Sequence, residues 1–219
     1  MIGICIPAHN EERYINLCLA SVMKAANCEA LAKETVLTVV VHDACTDGTA
    51  LYTQAWPVIN LSVAYHNVGL ARAAGARYLI QAGARWLAFT DADTVVSEAW
   101  LFHQLSLRAQ VVCGTVEVSD WSCHGDQAEL ARNSFLAQYT DADGHRHVHG
   151  ANLGIDATVY EQIGGFEALA CSEDQALVDK LVHSGASIAW TALPRVTTSA
   201  RPFSRIEGGF ATTLRRAYR

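Results

Sequence analysis

Short apolar runs recur through the first half of the chain, and each ends on a cluster of polar residues. Residues 2–6 are cut off by Pro7 and followed by Pro-Ala-His-Asn-Glu-Glu-Arg (7–13). Residues 35–41 are rich in β-branched side chains and end at His-Asp-Ala-Cys-Thr-Asp-Gly-Thr (42–49). Residues 60–65 lead into Asn67-Val-Gly69, and Trp86-Leu-Ala-Phe89 runs through Thr90 into Asp91-Ala-Asp93. Runs this short with polar bounds predict buried strands. Helical spacing lies between them. Residues 11–26 carry Ile15, Leu19 and Val22 on one face, with Asn10 as cap. A second helix, capped by Thr46 or Asp47, reaches about Ala55; a third covers 70–81; a fourth opens at Ser97 or Glu98 and runs toward Leu107. Four strand–helix alternations predict a three-layer α/β/α fold with a mainly parallel sheet. Parallel strands put their ends on one rim, so Asn10 and Glu11, Asp43, Asn67, and Asp91 with Asp93 should gather there. In open α/β sheets that rim is where ligands bind.

The second half is less regular. Residues 111–118 alternate as a strand, 126–138 suit a helix, and 140–145 read as a polar loop. Residues 148–155 read as a strand in which Gly150, Ala151 and Gly154 permit close backbone approach. A short helix over 156–163 stops at Gly164-Gly165. Residues 172–183 form a helix capped by Ser172 with Glu173 and Asp174 in its first turn, and 187–190 form a short strand. From Pro194 onward the chain holds Arg195, Arg201, Arg205, Arg215, Arg216 and Arg219 against one acid, Glu207.

Composition narrows the class. At 219 residues and 51% hydrophobic, the chain suits one domain, or one domain with a small appendage. A net charge of −6 gives no reason to expect nucleic acid as a partner. The seven cysteines are scattered and contain no C-x-x-C, which suits reduced, mostly buried thiols in a cytoplasmic protein. The start has no signal-peptide pattern, and no stretch approaches the ~20 apolar residues of a membrane span. The basic tail admits peripheral contact with an anionic membrane face.

The candidate chemistry centres on Asp91 and Asp93. Residues two apart in an extended chain point the same way, and two converging carboxylates call for a neutralising partner. Mg²⁺ or Mn²⁺ together with a substrate diphosphate fits that demand; a solvated turn at a strand end is the alternative. Asp43 suits base or ribose recognition, or capping of the next loop. Glu173-Asp174 can supply a base for an attacking hydroxyl, or simply favour a helix start. No G-x-x-x-x-G-K and no G-x-G-x-x-G after the first strand occur, which speaks against a P-loop enzyme and a dinucleotide oxidoreductase. His145, His147 and His149 alternate; in a strand they would share a face as metal ligands might, and a histidine-rich loop beside an acceptor pocket is the simpler reading.

Six segments in order resemble glycosyltransferase family 2, of GT-A fold: Ile-Pro-Ala-His-Asn-Glu-Glu (6–12), His-Asp-Ala-Cys-Thr-Asp-Gly-Thr (42–49), Asn-Val-Gly-Leu-Ala-Arg-Ala-Ala-Gly-Ala-Arg (67–77), Asp-Ala-Asp (91–93), Gly-Gly-Phe (164–166) and Glu-Asp (173–174). The resemblance implies a transferase domain over residues 1–190, with a nucleotide-sugar half at 1–107, an acceptor half at 108–190, and a basic tail at 191–219 packing near the site. It implies that Pro7, Ala8, Asn10, Glu11 and Asp43 contact the nucleotide of a UDP, GDP or dTDP sugar and that Arg72 lies near it. Asp91 would meet ribose or metal and Asp93 would bind the metal. Asp174 would be the base of an inverting transfer to a hydroxyl acceptor, supported by Glu173. Gly150-Ala-Asn152 resembles the family's sugar-side loop, which would bring His149 and Asn152 to the sugar. The chain departs from the family where His42 replaces an acid before Asp43, and where the Gln-x-x-Arg-Trp of polysaccharide synthases is missing. Arg201 or Arg205 would instead fold over the diphosphate, since guanidinium matches phosphate oxygens in a bidentate way. Three rivals remain. A haloacid-dehalogenase-like phosphohydrolase would use Asp91 as nucleophile, but needs its motif near the start and a suitably ordered lysine, where only Lys180 follows. A nucleotidyltransferase would need a Gly-rich signature near the start. A non-catalytic nucleotide-sugar-binding module is opposed by the intact Asp91, Asp93 and Asp174.

Overall fold

The computed structural model describes residues 1–201; Arg205, Arg215, Arg216 and Arg219 lie outside the described residues. The first half runs β1 (Ile2–Ala8), α1 (Ile15–Ala26), β2 (Val36–Asp43), α2 (Thr49–Thr53), β3 (Ile59–Val63), α3 (Val68–Gln81) and β4 (Trp86–Phe89). Then come β5 (Thr94–Val96), α4 (Trp100–Ser106), β6 (Val111–Glu117), α5 (Ala128–Gln138), β7 (Leu153–Asp156), α6 (Ala157–Gln162), α7 (Glu173–His183) and β8 (Ile188–Thr198). One sheet has the order β3-β2-β1-β4-β7-β6-β8-β5. The first four strands are parallel, β7 runs antiparallel to β4 and β6, β8 is parallel to β6, and β5 is antiparallel to β8.

Alternate side chains of each strand feed two cores. Ile2, Ile4, Ile6, Val40, Trp86, Ala88 and Val112 pack with α1 and α4 on one face. Cys5, Val39, Val41, Leu87, Phe89, Val111 and Cys113 pack with α3, α6 and α7 on the other. Both faces of β1, β2 and β4 are largely buried, which is why they read as near-continuous apolar runs, whereas the edge strand β3 alternates half-buried and exposed positions. This is the expected three-layer α/β/α arrangement.

Several local expectations are corrected. The first helix begins at Ile15, not residue 11, and Asn10 does not cap it. Asn10 adopts φ 54° and its Oδ1 accepts the N–H groups of Thr46 (2.7 Å) and Asp47 (3.3 Å), so it ties the loop after β1 to the loop after β2. Ser172 precedes α7 but makes no side-chain cap. The strand expected over 148–155 shrinks to Leu153–Asp156, because residues 149–152 close a turn through the Asn152 N–H and His149 carbonyl (2.9 Å). The strand expected over 187–190 runs on to Thr198. Pro194 is accommodated where the β6–β8 register shifts between Gly114 and Val116, a bulge that spares the missing N–H. Arg195 therefore belongs to the sheet, where it pairs with Asp141 (2.8 Å). All seven cysteines are free; Cys5, Cys18 and Cys113 are buried, whereas Cys123 is exposed. No helix among the described residues is long and apolar enough to cross a membrane.

Candidate active site

The strand ends open into a cavity of about 810 Å³. Pro7 and Ala8 line it from the end of β1 and Glu11 from just beyond, Asp43 from the end of β2, and Asp91 and Asp93 from beyond β4. Arg72 from α3, His149, Glu173 and Asp174 from the start of α7, and Arg201 complete the expected members that line it. Asn10 and Asn152 do not line it, and Arg205 lies outside the described residues.

Arg72 is the charge centre. It is 3% exposed; its Nη2 donates to Asp91 Oδ1 (2.6 Å), its Nη1 to Glu173 Oε1, and its Cζ stands 5.7 Å from the Phe166 ring centroid. Burial opposes its charge, but Asp91, Glu173 and Asp174 outweigh burial and hold its pKa above the ordinary value. The approach of Gly150 makes room for this guanidinium: a Cβ there would overlap it. Glu173 thus supports the site by anchoring Arg72.

Asp91 and Asp93 do not continue β4. They sit on a turn closed by Thr94 N–H to the Asp91 carbonyl (3.1 Å) and still face the cavity. The neutralising groups among the described residues are arginines. Asp93 Oδ2 lies 3.1 Å from Arg201 Nη2, while Arg201 Nη1 donates to both Glu11 oxygens (2.8 and 2.9 Å). Arg201 is carried in by a fastened segment: Ala200 is buried with Trp121 and Ala131, and the His124 ring bonds the Ala200 carbonyl (2.6 Å). Burial, opposed by Arg201 and reinforced by Asp91 and Glu11, pushes the Asp93 carboxyl up to about 6. The folded value lies above the ordinary 3.8, so the native state holds its proton longer than the unfolded chain. Stability from this group is therefore greatest at acid pH and falls as pH rises between those values. In metal-free buffer, Asp93→Asn should be more stable than wild type by ~1–3 kcal/mol at about pH 7.5, with the difference vanishing near pH 4. Urea melts at the two pH values check this; a variant no more stable at the higher pH refutes the assigned cost.

No group of three or more His, Cys, Asp or Glu side chains able to hold a metal occurs among the described residues. The donor set of Asp91 and Asp93 still fits a hard cation, which takes one or two protein carboxylates and draws its other oxygens from phosphate and water. Arg201 must then exchange partners. The three alternating histidines do not converge. Their rings stack, His145 on His147 (5.7 Å) and His147 on His149 (6.1 Å), with Tyr139 on His147 (4.3 Å). These residues lie in a loop, not a strand, and they form no group able to hold a metal among the described residues. His149 Nε2 meets the Tyr139 hydroxyl (3.0 Å), and burial, with the other two histidines, holds its pKa down at about 3.

Asp43 is committed to the loop. Its Oδ1 accepts the N–H groups of Tyr65 (2.6 Å) and His66 (2.9 Å), and Oδ2 that of Asn67 (2.8 Å). Asp174 Oδ2 accepts the Gly150 N–H (2.8 Å) and Oδ1 the Gln175 N–H (2.8 Å), which aims its carboxylate along the cavity wall. Asn152, expected beside the sugar, is fully buried instead. It accepts from Trp100 Nε1 (2.9 Å) and donates to the carbonyls of Thr115 (2.8 Å) and Pro194 (2.6 Å), bracketing α4, β6 and the β8 bulge. Gly114 is required beside it, since a Cβ would overlap its amide. Asn152→Ala should lose about 2–3 kcal/mol by leaving these buried groups unpaired; a loss under about 1 kcal/mol in urea would show that they find other partners.

His9 and His66, which sequence reasoning passed over, also line the cavity and meet edge to face (6.2 Å). Asn67, expected on this rim, lines it too; it caps α3 by accepting Leu70 N–H (2.9 Å) and ties the rim to the loop before α7 through the Leu169 carbonyl (2.8 Å). The Asn-Val-Gly turn signalled the cap; nothing local signalled the tie.

The sheet and its acid-lined cavity define an α/β protein with its main cavity at the carboxyl ends of its parallel strands, the rim where open α/β sheets bind ligands. The family model for glycosyl transferase family 2 matches residues 3–164, and the chain belongs to that family. No curated sequence matches the chain. Among solved structures it is similar to Staphylococcus aureus TarS 1-349 in complex with UDP-GlcNAc (14% identity, TM-score 0.69, 95% of this chain and 61% of that one). It is also similar to the mannosyltransferase PcManGT from Pyrobaculum calidifontis in complex with GDP-Man and Mn²⁺ (17%, 0.67, 90% and 56%). The chain thus spans about three fifths of these structures. The shared fold is GT-A, as the motifs implied. Family membership removes the phosphohydrolase and nucleotidyltransferase readings; the ion pair of Asp91 with Arg72 also gives Asp91 a structural partner.

Proposed function

We propose that the protein moves a single sugar from a nucleoside diphosphate sugar to an acceptor hydroxyl with inversion at the anomeric carbon. One observation carries this: a single cavity holds the Asp91–Asp93 turn, the β1 and β2 rim residues and the Asp174 carboxylate together. Asp174 takes the proton of the acceptor hydroxyl. The acceptor oxygen bonds the anomeric carbon opposite the leaving group, the carbon–oxygen bond to the diphosphate breaks, and its electron pair leaves with the diphosphate. Asp93, with Asp91, would hold Mg²⁺ or Mn²⁺, which supplies charge stabilisation for the departing diphosphate. Pro7, Ala8 and Glu11 border the nucleotide, and Arg201 turns from Glu11 and Asp93 to the phosphates. The domain reading is one transferase unit whose last strand carries the expected boundary at 190 on to Thr198, with Arg201 beyond it at the site. Free thiols support a cytoplasmic location, and the terminal arginines suit a peripheral membrane contact.

Thermal-shift measurements with UDP-, GDP-, dTDP- and CMP-sugars, with and without Mn²⁺, test the reading, since a ligand of the native state raises Tm. One nucleotide class should shift Tm only with metal, and Asp93→Ala should abolish the shift. Arg201→Ala should weaken donor affinity about tenfold. No shift with any nucleotide sugar rejects the transferase reading, and unchanged affinity in Arg201→Ala removes that residue from the donor site.

A further inference from the structure

Three described arginines line the cavity, and two are committed. Arg72 bridges Asp91 and Glu173, and Arg201 bridges Glu11 and Asp93. Arg146 has no ion pair among the described residues. It is exposed, with its Cζ 5.1 Å from the Trp190 ring centroid. The acids of its own loop are engaged elsewhere: Asp141 pairs with Arg195, and Asp143 accepts from Thr191 Oγ1 (2.7 Å) and the Ala192 N–H (2.9 Å).

Beside Arg146, His147 offers a second donor. Its Nε2 accepts the Thr140 N–H (2.9 Å), which assigns the ring proton of the neutral form to Nδ1. Burial and His145 hold the ring below its ordinary pKa, so it is neutral at pH 7. Its Nδ1–H has no hydrogen-bond partner among the described residues. The same loop continues to Gly150, whose N–H holds Asp174. A guanidinium and an imidazole N–H without acceptors therefore stand on the wall that positions the proposed base.

We propose that Arg146 and His147 Nδ1–H bind an anionic group, a phosphate or carboxylate, carried by the acceptor. Guanidinium binds either oxyanion in a bidentate way, and its aromatic support keeps the planar head oriented at little cost in side-chain freedom. Assigning the anion to the acceptor rests on the transferase reading; binding of the anion does not.

The first test uses inorganic phosphate and the full chain. Phosphate should bind wild type and raise the His147 titration midpoint, followed by imidazole NMR. Arg146→Ala should weaken phosphate binding at least about tenfold, with Arg146→Lys intermediate, and Arg201→Ala should leave the His147 response in place. Unchanged binding in Arg146→Ala, or an unmoved His147, overturns the proposal. So does loss of the response in Arg201→Ala, which would place phosphate at the donor rim. The second test compares a neutral pyranoside acceptor with its 6-phosphate and its uronic acid. Arg146→Ala should raise KM for the two anionic acceptors alone. A KM effect confined to a uronic-acid donor would move the anion to the donor sugar and overturn the acceptor assignment. If wild type transfers to no acceptor, the transferase reading fails, while the phosphate titration still decides whether this wall binds an anion.

Discussion

Asp174→Asn is expected to lower kcat by ~10²–10⁴-fold while leaving donor affinity within about threefold of wild type. The amide is nearly isosteric, so it can keep one of the two backbone N–H bonds, from Gly150 or Gln175, that aim the carboxylate. What it loses is the ability to take a proton from the acceptor hydroxyl. The fold should hardly notice, since Asp174 is only half-buried and carries no ion pair among the described residues. The measurements are steady-state kinetics with the donor found by thermal shift, together with the melting temperature of the variant. If the variant keeps more than about a tenth of wild-type kcat, Asp174 is not the base and the acceptor is activated by another group. If donor affinity falls in parallel with kcat, the residue works in binding.

Arg72→Met should cost ~3–5 kcal/mol of stability, the effect of removing one partner from a buried ionic cluster. Methionine replaces the aliphatic stem but ends short of Cζ, so the loss covers both ion pairs and the guanidinium contact over Phe166. Glu173 bears most of the consequence, for its side chain is 8% exposed, whereas Asp91 at 34% can recover water. Arg72→Lys should fall between the two, because a point charge cannot reach both carboxylates as a planar fork does. Urea denaturation with an unchanged m-value reads the difference. A loss below about 1 kcal/mol would mean that the three charges are solvated in the native protein and the cluster is not a structural centre.

These two residues differ in how far their sequence surroundings revealed them. Asp174 stands in an acidic pair at a helix start, and both the helix and the cavity exposure were foreseen. Arg72 was foreseen near the nucleotide, but its double pairing was not, because Glu173 lies 101 positions away in the chain. Asn10 and Asn152 show the opposite failure. Both stand in motifs associated with substrate, yet one holds a neighbouring loop and the other is sealed among α4, β6 and β8. A polar side chain in a motif can serve the ligand directly or the loop that carries it, and only its partners tell which.

The sequence by itself determined the four parallel strands, the helices that cover them and the rim that gathers their polar ends. Burial on two faces demands unbroken apolar strands, and helix faces repeat every three to four residues, so both signals are local. Only the tertiary structure decided the order β7-β6-β8-β5, the extension of β8 past Pro194 and the stacking of three histidines that a strand would have aligned. It also decided the pairing of Arg201 with Glu11, 190 residues apart. Apolar and polar patterning states which face a residue occupies; which distant residue meets it is settled by the packing of the layers, where a buried charge must find its counter-charge wherever the chain brings one.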